Sequence, residues 1–236
     1  MTRALLAAGV VGPPLFVLTF LVEGATRPGY SWSRNFVSQL ATGDGGVVQI
    51  ANFLVCGALV LAFAVGLARV LRPRSRWGPL LVAAFAGALL VAGVFVTDPA
   101  LGYPPGSPRA QTLAGTIHGL AGLAAFLTLS AACFVMARYF APDPRRRAWA
   151  AYSLLSGLLA LGSFVASNAA AVLDERGSWP DAPAGLFQRI GIVAGWAWVA
   201  ALAWTRWRGY VPTTTPPSTE RTAPLMKDAS SDARNR

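Results

Sequence analysis

Read as a succession of apolar and polar positions, the chain falls into six long apolar runs separated by short clusters of charge, proline and glycine. The runs cover about Leu5 to Val22, Val47 to Ala68, Pro79 to Thr97, Thr112 to Ala137, Trp149 to Leu173 and Phe187 to Trp204. At a rise of about 1.5 Å per residue each is long enough to cross a hydrocarbon layer about 30 Å thick. Lipid satisfies no bare backbone groups, so each run is expected to be a helix. No period-two alternation points to a barrel. The pattern predicts an all-α fold, a six-transmembrane-helix bundle over residues 1–208. The stretch 209–236, rich in Pro, Thr, Ser and charge, is expected to be a disordered cytoplasmic tail.

Composition sharpens this reading. Apolar residues make up 54% of the 236 and charged residues only 13%, about half the charge of an ordinary soluble domain. Mean hydropathy is +0.49. A soluble enzyme, a disordered chain and a disulfide-built secreted domain are excluded. Cys56 and Cys133 lie inside apolar runs and read as small core residues.

The net charge of +10 has the magnitude of a nucleic-acid binder, but the basic residues sit at the ends of the runs and form no amphipathic face, so no nucleic-acid partner is expected. They also set the orientation. One face carries Arg3, Arg69, Arg72, Arg74, Arg76, Arg138, Arg145, Arg146, Arg147, Arg206, Arg208, Arg221, Lys227, Arg234 and Arg236. The other carries only Arg27, Arg34, Arg109, Arg176 and Arg189. The positive-inside rule therefore puts both termini in the cytoplasm of a multi-pass protein of the cell (inner or plasma) membrane. Glu23-Gly24-Ala25-Thr26 is a poor signal-peptidase site, so the first run is expected to stay as a helix.

Chemistry is sparse inside and concentrated outside. The inner loops contain no P-loop or dinucleotide fingerprint. The first outer loop, from Pro28 to Gly43, is long, polar and aromatic, and its middle is expected to form a short helix along the interface. Tyr30, Trp32 and Tyr103 suit an aromatic belt. His118, the only histidine, lies about seven residues into the fourth run, with Gly115 and Gly122 on the same helix face. Those glycines would let a neighbouring helix approach and turn the imidazole inward. Asp98 falls where the third run meets the outer interface, before Pro99, with Arg34 and Arg189 as candidate partners. One histidine is too few for a multi-histidine zinc site or a bis-histidine haem, so no metal and no cofactor is expected.

Together Tyr30-Ser31 to Ser38-Gln39-Leu40, the Asp98-Pro99 corner, the Gly115-x-x-His118-Gly119 element and the six-run layout resemble the bacterial membrane proteins grouped as domain of unknown function 998. The resemblance spans about Leu5 to Trp204. It implies a six-helix membrane protein and brings no reaction with it.

Three functions fit this pattern. The first is an outer-leaflet enzyme or binding protein for a lipid or isoprenoid-like substrate. In it Asp98 and His118 act as acid and base without a covalent step, or Ser38 is a nucleophile with His118 its base and Asp98 the orienting carboxylate, and Arg34 or Arg189 holds an anionic head group. Asn35, Tyr103 and Gln188 are further substrate contacts. The second is a non-catalytic scaffold or lipid-binding protein, whose small-residue faces, Gly191 and Gly195 among them, suit contacts within the fold or in a homo-oligomer. The third, a small-molecule transporter, fits less well because every acidic residue falls at a run's end or in a loop. The expected site opens outward, is bordered by helices two, three, four and six, and has membrane lipids as partners.

Overall fold

A computed structural model describes residues 1–72, 74–108 and 110–210. Arg109 and the tail from residue 211 onward lie outside the described residues. Six helices form the bundle: α1 (Thr2–Thr26), α2 (Gly46–Leu71), α3 (Trp77–Val94), α4 (Leu113–Phe140), α5 (Arg147–Glu175) and α6 (Ala184–Arg208). All six are long and apolar enough to cross a membrane, and no strand occurs among the described residues. Their outward faces carry large apolar side chains such as Val11, Leu18, Val55, Leu80, Leu127, Leu158 and Val193. So much exposed apolar surface suits a protein solvated by lipid. Pro13 and Pro14 sit within α1, a placement tolerated where neighbouring helices absorb the disturbance.

Consecutive helices pack as antiparallel neighbours, and α6 closes the ring against α1. The beginning of α1 and the ends of α2 and α6 share one face, where the Arg3 guanidinium lies 5.2 Å from the Trp207 ring centre. The core is aromatic and small in turn. Phe16 stacks on Trp196 at 4.3 Å, with Phe85 edge-on to the same indole. Gly191 and Gly195 lie against α5 and α4 within the chain, Gly191 facing Ser163 and Gly195 facing Leu129. Cys56 and Cys133 are buried free thiols. Asn52 ties α2 to α1 by donating to the Phe16 carbonyl (3.1 Å).

One boundary differs from the sequence reading in a way that matters. The third run was expected to continue as helix to Thr97, yet α3 stops at Val94 and Phe95 turns extended. Two carbonyls at that end are taken by a side chain from α4, which makes an early stop favourable. Asp98 therefore lies beyond the helix. The loop from Pro28 to Gly43 does contain the expected short helix, a 3-10 turn at Val37–Ala41, and it is buried against the bundle. Val37, Gln39, Leu40 and Ala41 are buried, and the turn packs under the loop against α1 and α2.

Candidate functional site

The face opposite the two termini is closed by a cap in which side-chain amides serve backbone groups that no helix can satisfy. Residues 33–37 are joined to the start of α6: Gly185 N donates to Arg34 O (3.1 Å), Leu186 N to Ser33 O (2.8 Å), and Val37 N to Gln188 Oε1 (2.7 Å). Asn35 accepts from Ser31 N (2.8 Å) and donates to Leu101 O (2.9 Å). Gln39 accepts from Phe36 N (2.8 Å) and donates to Ala100 O. The receiving turn places Leu101 and Gly102 at φ 52 and 73°. A left-handed leucine costs about 1 kcal/mol or more, and the Asn35 and Gln39 amides hold it there.

The two outer arginines expected to hold a ligand are committed to this cap. Arg34 grips Asp174 with Nε and Nη2 (2.7 and 3.1 Å) and reaches Asp181 through Nη1 (2.9 Å). The Asp174 side chain is 2% exposed, so this ion pair stitches the loop between α1 and α2 to the end of α5. Hydrogen bonding to Asp174 raises the Arg34 pKa above its ordinary value. Arg189 is buried within α6, donating to Asn35 O (2.9 Å), Gly185 O (3.0 Å) and the Tyr30 hydroxyl. Tyr30 in turn donates to Phe36 O (3.0 Å), and burial pushes its phenol up to about 12 against the partial opposition of Arg189. Tyr103 is 3% exposed and packs edge-on to Tyr30. These two tyrosines belong to the core of the cap and not to an aromatic belt, whereas Trp32 is exposed.

Asp98 pairs with neither arginine. Its carboxylate accepts from Thr112 N (2.9 Å) and Thr112 Oγ1 (2.7 Å), while Thr112 Oγ1 accepts from Gly115 N (2.9 Å). This is an N-cap of α4 extended by one carboxylate, which also lies favourably at the helix's positive end. A Cβ at Gly115 would strike the Asp98 carboxylate, so any side chain there has to displace it. One turn further on, His118 Nδ1 faces the carbonyls of Phe95 (2.8 Å) and Ala92 (3.0 Å). Two acceptors on one nitrogen assign the proton to Nδ1 and leave Nε2 as an acceptor. Gly115-x-x-His118 is thus a lock between the end of α3 and the start of α4.

Beneath the cap lies a cavity of about 210 Å³ lined by residues from all six helices, more than the four expected to border it. Phe16, Phe53, Phe85, Leu89, Leu129, Ile192 and Trp196 form its apolar wall. Ser38, Thr97, His118, Asn168 and Gln188 are its polar lining. Gly119 on α4 and Asn168 on α5 are its exposed lining residues, which puts its opening between those helices. Gly122 also lines it, and a Cβ there would meet nothing within 4 Å, so no helix closes on that glycine as the sequence pattern anticipated. Of the residues singled out from sequence, Ser38, His118 and Gln188 reach this cavity; Arg34, Asn35, Asp98, Tyr103 and Arg189 do not line it. The aromatic wall, Thr97 and Asn168 escaped notice because they are scattered over separate helices with no shared spacing. Among the described residues no three histidine, cysteine or carboxylate side chains gather as a metal would require.

The fold and the capped cavity define a polytopic helical membrane protein with an intrabundle cavity. Residues 10–205 match the family described as Protein of unknown function (DUF998), and the chain belongs to that family. No curated protein and no solved structure matches the chain.

Proposed function

We propose that the protein binds a lipid-like amphiphile in the cavity beneath the cap, with both termini in the cytoplasm and the cap at the outer face. The observation that carries this reading is a cavity with an aromatic wall and a few convergent polar groups, open between α4 and α5, in a bundle with lipid-facing sides. Pockets for small apolar ligands have this composition. The orientation rests on the excess of arginine at the opposite face.

Chemical modification of the bound molecule is a second reading, favoured by Ser38 and His118 lining one cavity. In that case His118 Nε2 is the proton acceptor, held in its tautomer by the α3 carbonyls where a catalytic triad would use a carboxylate.

The test is lipid analysis of the protein purified in mild detergent beside a Gly122→Phe variant, whose added ring occupies the cavity. A discrete amphiphile enriched on the wild type and missing from the variant is expected. Identical bulk lipid on both contradicts binding. Comparing whole-cell lipids with wild type, with His118→Asn and without the protein separates the two readings: a species changed only by the wild type indicates turnover.

A further inference from the structure

We infer that the molecule in this cavity is a single-chain amphiphile with an uncharged, hydroxyl-type head, an assignment that rests on the proposed binding function and narrows it. The cavity's size argues for one chain. At about 210 Å³ it exceeds a site of about 150 Å³ that holds benzene, and on that scale it takes roughly eight carbons, room for one short chain or one end of a longer chain and not for two side by side.

The lining argues for the head. No charged side chain lines the cavity among the described residues. Arg34 is spent on Asp174 and Asp181, and Arg189 on carbonyls and Tyr30. A phosphate or carboxylate placed here would be buried without a counter-ion, which is strongly unfavourable.

The polar atoms left over are complementary to a hydroxyl. His118 Nε2 is an acceptor, because Nδ1 holds the proton against the Phe95 and Ala92 carbonyls. The Gln188 amide nitrogen is a donor, because its oxygen is engaged by Val37 N. The Ser38 hydroxyl, with no hydrogen bond among the described residues, can do either. A hydroxyl both gives and takes one hydrogen bond, so it satisfies the histidine and the amide together. A ketone or ester offers no proton to Nε2. The apolar chain then runs along Phe53 and Phe85 to Trp196.

Trp196 supplies the readout. The full chain is placed in phosphatidylcholine nanodiscs and titrated with a straight-chain alcohol of about eight to ten carbons carrying bromine at its far end. The carboxylate and the phosphate monoester of the same brominated chain are titrated in parallel, at a pH where both are ionised. Bromine quenches nearby indoles, and subtracting the curve of Trp196→Phe isolates one tryptophan from the eight in the chain. Saturable quenching of Trp196 by the alcohol is expected, with both anions at least about tenfold weaker.

His118→Asn places an amide nitrogen near the position of Nδ1 and removes the acceptor. It should weaken the alcohol about tenfold and leave the anions unchanged. Gly122→Phe should abolish quenching of Trp196 by every probe, and Gly122→Leu provides a smaller plug should the phenylalanine protein fold poorly. Anions that bind as tightly as the alcohol, still blocked by the plug, would overturn the hydroxyl assignment while leaving amphiphile binding intact. If no probe quenches Trp196 above the Trp196→Phe background, both fall together.

Discussion

His118 shows how one side chain serves structure and site through different nitrogens. Nδ1 satisfies two carbonyls at the end of α3, and the ring meets Phe53 edge-on at 6.0 Å. Truncation to alanine leaves those carbonyls without that donor and should cost about 1–3 kcal/mol. His118→Asn, which keeps a donor there, should recover most of the loss; thermal unfolding in detergent measures both. Tyr30 is the clearest titrating group of the cap. Its phenol is raised from 10.0 to about 12, so the folded state keeps a proton that the unfolded chain gives up. Stability from this group is complete below pH 10 and declines as pH rises toward 12. Denaturation followed across that interval should show a loss that Tyr30→Phe removes. Some of this was legible from sequence: a lone histidine flanked by glycines pointed inward, and it is buried. The fate of Arg34 and Arg189 was not. Their partners, Asp174 and the Asn35 carbonyl, lie 140 and 154 positions away, and sequence spacing carries no information on such pairs.

At the level of elements, the apolar runs located all six helices because lipid forces every backbone group in a span into a helix. The ends were less legible, since caps and side-chain donors decide them. The α3–α4 corner illustrates this: Thr112, Asp98, Gly115 and His118 form one device that ends a helix and starts the next. Asp98→Ala should remove the carboxylate from Thr112 and weaken the start of α4 by about 1 kcal/mol. Hydrogen exchange of the first turn of α4 should then quicken, with the middle of the helix unchanged. An unaltered first turn would show that Asp98 does not cap α4. The short helix in the loop between α1 and α2 was also legible, but its burial was not, because its apolar Val37, Leu40 and Ala41 face a cap assembled from three separate loops.

For the whole molecule, the orientation proposed from charge can be checked with the chain's own chemistry. Both native cysteines are buried, so the wild type is a near-silent background for thiol labelling. Ser178→Cys lies on the cap face and Ala141→Cys on the arginine-rich face, and both positions are exposed. A membrane-impermeant maleimide added to intact cells should label the first and spare the second; the reverse result would invert the topology. The cavity was the least legible feature at this scale. Phe16, Phe53, Phe85 and Trp196 come from four helices, and each alone reads as packing.

The most direct measurement is a high-resolution density map of the protein extracted with its native lipids. Continuous density should run from the Nε2 side of His118, past Phe53 and Phe85, to Trp196, as one unbranched chain. A cavity holding only water, or one filled by rotation of Trp196 and Phe126, would contradict an amphiphile-binding site.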